Sequence, residues 1–326
     1  MVPDTLRLGL IGAGWITPAH LDALDRLGRT RLVGVASARL ERARATAEPR
    51  GATAYDHVER MLDEQRPDVV YIAVPPSASI MACGAVVDRG IPFLVEKPLA
   101  AGDAEGPPRV AAAIEARGLV AAVGYHLRAL EQLPEVRSRL AADPAILVTA
   151  TWQDGTPAPA WWLTEAVGGG QVVEQATHLY DLARLLVGEA EVVGAASTRS
   201  DPAIPPGADV MDATAAVLRF TTGAVGTFAN TRRQATHTVE ISFTGDGPRT
   251  TIRRTGPLPG GWEVVVEDGQ SVRAIPPGRD PYERQAERFL DAVDANEPAA
   301  VFATYQDALR TDRLTRAVVA ATGRSG

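Results

Sequence analysis

The sequence predicts an α/β fold in two parts. The first part is a doubly wound parallel sheet, and the second is an α+β domain with a large, mainly antiparallel sheet that is open on one face. Short apolar runs alternate with helical patterns up to about Gly124, which is typical of a parallel sheet covered on both faces. After Gly124, polar and apolar residues alternate, which is typical of an antiparallel sheet with one open face. The 326 residues also exceed the size at which a single core stops growing.

In the first part, every apolar run has the length of a strand. Leu6–Ile11 ends in glycines, and helical spacing follows over Ala19–Leu27. The pattern repeats in strands at Leu32–Ser37, Val69–Val74, Phe93–Val95 and Val120–Val123, with helices over Ile80–Asp88 and Gly106–Arg117. We assign residues 1–124 to the first domain.

Residues 125–326 predict a second domain, in which long helices flank a series of strands. The predicted helices are Arg128–Ala142, Gln171–Val187, Tyr282–Asn296 and Tyr305–Ala321. The predicted strands are Ile146–Trp152, Glu191–Thr198, Ala213–Thr221, Ala224–Thr231, Thr238–Thr244, Thr250–Arg254 and Trp262–Glu267. An open sheet face would leave a large uncovered surface in a monomer, so we expect a homodimer or homotetramer formed through it. For the last predicted helix, Tyr305–Ala321, packing against the first domain is an alternative that the sequence leaves open.

Composition and charge exclude several classes of protein. A net charge of -7 without any basic run disfavours nucleic acid and anionic membranes as partners. The amino terminus lacks the pattern of a secretory signal, and Leu8–Ile16 is far shorter than the roughly 20 apolar residues of a membrane span. Cys83 is the only cysteine, which rules out an intrachain disulfide and a thiolate zinc site. We expect a cytoplasmic protein.

A glycine loop connects the first predicted strand to the first predicted helix, where a Rossmann domain binds a dinucleotide. Gly12 permits the tight turn, and Gly14 lets the backbone approach the pyrophosphate at the helix amino end. Thr17 replaces the usual third glycine, so helix and strand are expected to pack less closely. With Trp15 and Ile16, these glycines form the predicted pyrophosphate site.

The end of the second predicted strand indicates which nicotinamide cofactor is bound. A carboxylate that binds both ribose hydroxyls is expected there, but the chain has Ser37, followed by Arg39 and Arg42. A serine with nearby guanidinium groups suits a 2′-phosphate. The sequence therefore favours NADP over NAD, the alternative being that both arginines are solvated residues of a helix.

Together with this loop, four further motifs resemble the glucose–fructose oxidoreductase / inositol dehydrogenase / MocA family over essentially the whole chain. In chain order, the motifs are Gly12–Gly14, Ala73-Val74-Pro75-Pro76, Glu96-Lys97-Pro98, Gly124-Tyr125-His126-Leu127-Arg128, and Gly168-Gly169-Gly170 followed by Glu174, His178 and Asp181. The resemblance implies an NAD(P)-dependent oxidoreductase that acts on a sugar, nucleotide sugar, polyol or cyclitol.

The resemblance also implies roles for individual residues. Lys97 lies near the nicotinamide and the substrate hydroxyl, His178 takes or gives the hydroxyl proton, and Glu174 contacts the substrate or steadies the site. Pro75, Pro76 and Glu96 join Lys97 in the expected cofactor site. The expected substrate contacts, besides Glu174 and His178, are Tyr125, His126, Arg128, Trp162 and Thr177.

Elementary chemistry agrees with the two central roles. Removal of a hydride from a carbinol requires a base with a pKa near neutrality, which suits His178. A nearby cation stabilises developing alkoxide character, which suits Lys97, the only lysine of the chain.

On the predicted helix Gln171–Val187, Glu174, His178 and Asp181 would share one face, which we interpret as a functional face. The alternative interpretation is a polar face that is only exposed to solvent. No third ligand is indicated, so no metal ion is expected. Three positions depart from the family pattern, namely Glu174 where many relatives have Asp, Ser79 where a histidine is common, and Ala176 where a glycine is common.

Aromatic residues near the second glycine motif are candidates for a carbohydrate pocket, namely Trp152, Trp161 and Trp162. The histidines outside the motifs, His20, His57 and His237, are interpreted as structural. Two other functions remain open. One is a cofactor-binding sensor of the same fold, and the other is a cofactor-retaining enzyme with net hydrolysis or epimerisation.

Overall fold

The computed structural model describes residues 5–200, 204–205, 207–256 and 261–323. The ranges 1–124 and 125–326 predicted from the sequence therefore include a few residues outside the described ones. The chain divides into two units. The first runs to Ala129 and also contains Asp280–Leu309, and the second contains Leu130–Arg279 and the residues from Arg310 onward.

The strands and helices are numbered in chain order. The strands are β1 (Leu6–Ile11), β2 (Thr30–Ala36), β3 (Thr53–Tyr55), β4 (Val69–Ile72), β5 (Phe93–Val95), β6 (Ala121–Val123), β7 (Leu147–Gln153), β8 (Ala190–Thr198), β9 (Ala213–Phe220), β10 (Val225–Thr231), β11 (Thr238–Thr244), β12 (Arg249–Arg254), β13 (Trp262–Glu267) and β14 (Val272–Ile275). The helices are α1 (Thr17–Leu27), α2 (Leu40–Ala47), α3 (Val58–Gln65), α4 (Pro76–Asp88), α5 (Gly106–Arg117), α6 (Leu133–Ala142), α7 (Glu165–Gly168), α8 (Gly170–Glu174), α9 (Thr177–Val187), α10 (Pro281–Ala295) and α11 (Tyr305–Ala321).

The first unit contains the predicted doubly wound sheet. In its described residues, six strands pair in parallel in the order β3-β2-β1-β4-β5-β6. All residues of β4, β5 and β6 are buried, because helices cover both faces of a sheet of this kind. Since the strands are parallel, their carboxyl ends meet at one edge, where such folds bind their ligands.

The segment 280–309 belongs with the first unit, whereas the sequence-based division at residues 124 and 125 placed it in the second domain. The cause is the apolar face of α10. Phe289 and Leu290 are fully buried in the same hydrophobic core as Leu21 and Leu24 of α1. A helical pattern predicts such a face but does not indicate what covers it.

The second unit contains the predicted open-faced sheet. Its described strands follow the order β14-β13-β12-β11-β7-β10-β9-β8, and every pair is antiparallel except β7 with β10. Buried and exposed residues alternate along β9 and β10, which confirms one covered and one open face.

The predicted helix Gln171–Val187 is wrong as a single element. The chain forms α8 and α9 instead, with Gln175 and Ala176 between them. The amide of Ala176 donates to the Gln171 carbonyl, five residues back, which interrupts the α-helical hydrogen-bond ladder. Glu174 and His178 therefore lie on two different helices.

Smaller differences concern short elements. The predicted helix Arg128–Ala142 begins at Leu133, after a 3₁₀ turn over His126–Ala129. The helix α3 and the short strands β3 and β14 were not predicted, because runs of three to eight residues carry little periodicity. Among the described helices, none combines the length and the apolar character that crossing a bilayer requires.

Candidate active site

The glycine loop at the end of β1 is pressed against the end of β4. Gly12 has φ +105°, and its amide donates to the Ala36 carbonyl at 2.8 Å. A Cβ atom on Gly12 would lie 2.0 Å from the carbonyl oxygen of Ala73, which no side chain can tolerate. Glycine is therefore required here both by backbone conformation and by space.

Thr17 stands in place of the third glycine and ties the loop together. Its hydroxyl accepts from the amide of Gly14 at 3.1 Å and donates to the carbonyl of Gly12 at 3.4 Å. Only 2% of Thr17 is exposed. The departure from the usual fingerprint thus supplies side-chain hydrogen bonds that a glycine could not.

The amino end of α1 suits a phosphate group. The first turn of this helix contains no acidic residue, and Ile16 provides no side-chain cap to its amides. Gly14 has ample space, since the nearest atom to a Cβ built there is 4.0 Å away. Trp15 is 59% exposed beside it. A loop of backbone amides at an uncapped helix terminus fits the pyrophosphate of a dinucleotide.

The end of β2 carries the predicted ribose-site residues. The amide of Ser37 donates to the Tyr55 carbonyl at 3.0 Å, and the amide of Arg39 donates to the Ser37 hydroxyl at 3.4 Å. Arg39 and Arg42 are exposed, and their guanidinium groups have no ion-pair partner among the described residues. Both cations are therefore available to an external anion.

Pro75 and Pro76 form the turn from β4 into α4, with Pro75 as the residue before the helix and Pro76 as its first residue. Ser79, one of the three positions that depart from the expected family pattern, is 2% exposed and contacts the Cys83 sulfur at 4.0 Å. This side chain is part of the packing of α4.

Glu96 and Lys97 follow β5, at the same sheet edge as the glycine loop, and the peptide bond from Lys97 to Pro98 is cis. One oxygen of Glu96 lies 2.7 Å from Nε2 of His20, and the other accepts from the amide of Lys97 at 3.1 Å. Burial raises the pKa of Glu96, but the His20 hydrogen bond and the charge of Lys97 outweigh it, so the pKa falls below its usual value.

The sequence-based interpretation of His20 is incomplete, because this buried residue directly contacts Glu96. The two residues are 76 positions apart, and no local pattern relates them. His57 is 72% exposed beside Asp56, and His237 pairs with Asp154.

The residues after β6 are buried within the first unit. His126 stacks on Tyr282 with ring centroids 4.6 Å apart, and burial lowers its pKa to about 4, so it is neutral at neutral pH. Arg128 lies over the ring of Tyr125 and pairs with Asp307 at 2.5 Å. Contact of these side chains with a substrate stays a prediction.

In the second unit, Trp162 and Trp152 contact the two predicted reacting side chains. The indole N–H of Trp162 donates to Glu174 at 2.8 Å, and Trp162 is 1% exposed. The ring of Trp152 stacks on His178, with centroids 6.0 Å apart and planes at 16°. Thr177, at the start of α9, is also buried.

A charged cluster that the sequence did not reveal also contacts Trp152. The Arg254 guanidinium is 6.0 Å from the centre of the Trp152 ring, and it pairs with Asp154 at 3.2 Å. Asp154 also contacts His237. These residues come from separate strands and loops of the sheet, so no spacing in the sequence could have indicated the cluster.

The alternative of a solvated polar face around His178 is wrong, because His178 and Asp181 are 3% and 1% exposed. Asp181 accepts from the Thr311 hydroxyl at 2.8 Å and lies 4.0 Å from Arg184. These contacts indicate that Asp181 stabilises the fold.

Family models match the chain in two places. Residues 6–125 match the oxidoreductase family described as having an NAD-binding Rossmann fold, and residues 144–252 match the GFO/IDH/MocA C-terminal domain.

Named relatives and a solved structure are similar to the chain. A myo-inositol 2-dehydrogenase of Thermotoga maritima is 26% identical over 317 residues, which cover 91% of this chain and 90% of the relative. The rhizopine catabolism protein MocA of Rhizobium meliloti is 26% identical over 187 residues, 56% of this chain and 57% of the relative. KijD10, a 3-ketoreductase from Actinomadura kijaniata in complex with NADP and TDP-benzene, shares the fold with a TM-score of 0.86, 23% identity and 98% coverage of both chains.

The space around Gly12 leads to a prediction. Gly12→Ala should destabilise the protein and abolish NADPH binding, because the added carbon would displace the Ala73 carbonyl and with it the loop. Gly28→Ala is the matched control, since Gly28 also has a positive φ of 64° but open space around it. Its cost should be about 1–2 kcal/mol, with cofactor affinity unchanged. Urea unfolding and cofactor fluorescence titration measure both, and equal behaviour of the two variants would contradict the assignment.

Proposed function

Because the chain belongs to the GFO/IDH/MocA family of NAD(P)-dependent oxidoreductases, we propose that it transfers a hydride between this cofactor and a secondary alcohol or ketone of a sugar, nucleotide sugar, polyol or cyclitol. The observation that carries the proposal is the position of Lys97. It follows β5 at the carboxyl edge of the sheet, the edge at which the glycine loop follows β1. Parallel sheets of this kind bind dinucleotides at that edge.

In the proposed reaction, His178 accepts the hydroxyl proton of the alcohol, or returns it in the reverse direction. Lys97 stabilises the negative charge that develops on the same oxygen. The nicotinamide, when bound, accepts or donates the hydride. Glu174 orients the substrate through its carboxylate, which the Trp162 indole holds in place.

The names of the similar proteins support this substrate class. The Thermotoga maritima relative is a dehydrogenase of a cyclitol, and the Actinomadura kijaniata protein is a ketoreductase bound to a TDP compound. Both are enzymes, which favours catalysis over a regulatory role. We extend the proposal to Tyr125, His126, Arg128, Trp162 and Thr177 as substrate contacts.

Two substitutions test the roles in catalysis. Lys97→Ala and His178→Ala should fold normally and each lower kcat by about 10²- to 10⁴-fold, because each removes a group that acts in the transition state. His57→Ala is the control, since its side chain is 72% exposed. The assay follows absorbance at the nicotinamide band with a panel of polyols, cyclitols and keto-sugars. A wild-type rate in either variant would reject its assigned role.

We further propose that NADP is preferred over NAD, through Ser37, Arg39 and Arg42. The exposed guanidinium groups of the two arginines, without ion-pair partners among the described residues, support a 2′-phosphate site at the end of β2.

Arg39→Ala should weaken NADPH binding by about 10- to 100-fold, the effect of losing a hydrogen bond to a charged group, and leave NADH binding nearly unchanged. Arg44→Ala, an equally exposed arginine of α2, serves as the control. Isothermal titration with both cofactors measures the difference. Equal losses for NADPH and NADH in Arg39→Ala would overturn the preference.

We also propose that the protein forms a homo-oligomer in which the open face of the large sheet is the interface between subunits. Val217 and Val225 are 43% and 44% exposed on that face, and Leu147, which pairs with Val225 across the parallel strands, is 36% exposed. An apolar sheet surface of this kind is typical of protein interfaces.

Val217→Glu should convert the oligomer to a monomer, because a charge would be buried at the interface. Met81→Glu is the control, since Met81 is 70% exposed on α4 of the first unit, outside the large sheet. Light scattering at micromolar concentration gives the mass. A monomeric wild type would refute the proposal.

A further inference from the structure

The histidine on α1 contacts the Glu-Lys motif, and nothing described so far gives it a role in the reaction. We propose that His20 is a positioning residue, which holds the Glu96 carboxylate against the backbone amide of Lys97 and so fixes the segment from which the ammonium group acts. This inference rests on the role proposed above for Lys97.

The contact between His20 and Glu96 is short and shielded from water. Nε2 of the imidazole lies 2.7 Å from Oε1 of the carboxylate, and the two side chains are 4% and 11% exposed. A buried carboxylate destabilises a protein unless hydrogen bonds and opposite charge compensate for the lost hydration. His20 supplies such a hydrogen bond, and it does so from a helix that no sequence motif connects to Glu96.

The carboxylate is confined on its other sides as well. Its second oxygen accepts from the amide of Lys97 at 3.1 Å. A Cβ built on Gly124 would lie 2.9 Å from the carboxyl carbon and from both of its oxygens. Glu96 therefore occupies a slot between α1 and the end of β6, and the hydrogen bond from His20 fixes its orientation in that slot.

Two tyrosine rings fix the imidazole in turn. Tyr71 and Tyr282 contact it edge-on, with centroids 5.5 Å and 5.3 Å away and planes at 70° and 88°. Because the ring is held on both sides, His20 presents Nε2 to Glu96 at little further entropic cost. The arrangement is that of a preorganised support rather than of a mobile surface side chain.

The charges around Glu96 agree with this role. Despite its burial, the pKa of Glu96 is lowered, first by the hydrogen bond from His20 and then by the charge of Lys97, so the carboxylate is ionised. His126 itself is buried with a pKa of about 4 and is neutral at neutral pH. Tyr71 is uncharged, because burial raises the pKa of its hydroxyl. The cation of Lys97 and the imidazole of His20 are thus the groups that compensate the charge of Glu96.

The test compares two substitutions of His20. His20→Gln keeps an amide donor close to the place of Nε2, whereas His20→Leu keeps the bulk and removes the donor. We expect His20→Leu to lower kcat by about 10- to 100-fold, the effect of losing a hydrogen bond to a charged group, with KM little changed. His20→Gln should restore most of the rate. A residue needed only for packing would give no such rescue, because leucine suits a buried site better than glutamine.

A second measurement asks whether His20 acts through Glu96. In a Glu96→Gln background, adding His20→Leu should cost little further activity, since the carboxylate that His20 holds is already gone. His57→Leu, a change at an exposed histidine, is the control.

Separate outcomes overturn the inference and the proposed function. A wild-type rate in Lys97→Ala would reject the proposed function. If Lys97→Ala is inactive, the inference alone fails when His20→Leu is as active as wild type, when His20→Gln is as impaired as His20→Leu, or when the losses from His20→Leu and Glu96→Gln multiply. If the leucine variant does not fold, His20→Asn, whose amide is too short to reach Glu96, replaces it in the same comparisons.

Discussion

The approach of Gly12 to the Ala73 carbonyl is the constraint on which the cofactor half of the molecule depends. With 2.0 Å between that oxygen and the place of a Cβ, the backbone must leave β1 at one angle and begin α1 at one point. The start of α1 then places Thr17 over the loop and His20, one turn later, against Glu96. A single missing side chain thereby determines the shape of the predicted pyrophosphate site and the surroundings of Glu96.

In the second unit, the structure holds two polar side chains of the proposed reaction, Glu174 and His178, away from most of the solvent. His178 is buried against Trp152 on the covered face of the large sheet, and Glu174 is half-buried beside Trp162. Unpaired polar groups are costly at such positions. Trp162 offers Glu174 an indole N–H, and Trp152 offers His178 a flat apolar surface. Tryptophan suits both tasks because it combines a large apolar body with one donor. Trp162 and Trp152, near the second glycine motif, therefore directly contact the proposed substrate-orienting carboxylate and the proposed base.

Much of the fold could be predicted, because parallel strands buried on both faces and open antiparallel strands leave different patterns. The turn from β1 through the glycine loop into α1 and the bounds of α11 were predicted for the same reason, since each depends on neighbours in the chain. The return of α10 to the first unit, the break before α9 and the contact of His20 with Glu96 were missed. All three depend on what a segment packs against, and periodicity describes only the face that a segment presents.

The break between α8 and α9 has a consequence for how the site can diverge among related enzymes. Glu174 is the last residue of α8, and His178 lies in the first turn of α9, so the two side chains do not project from one helix. A change in the length of the acid, such as glutamate for aspartate, alters its reach while the imidazole stays where α9 holds it. Under the roles proposed for these two residues, a substrate of different size requires adjustment of α8 and leaves the proposed base on α9 unchanged.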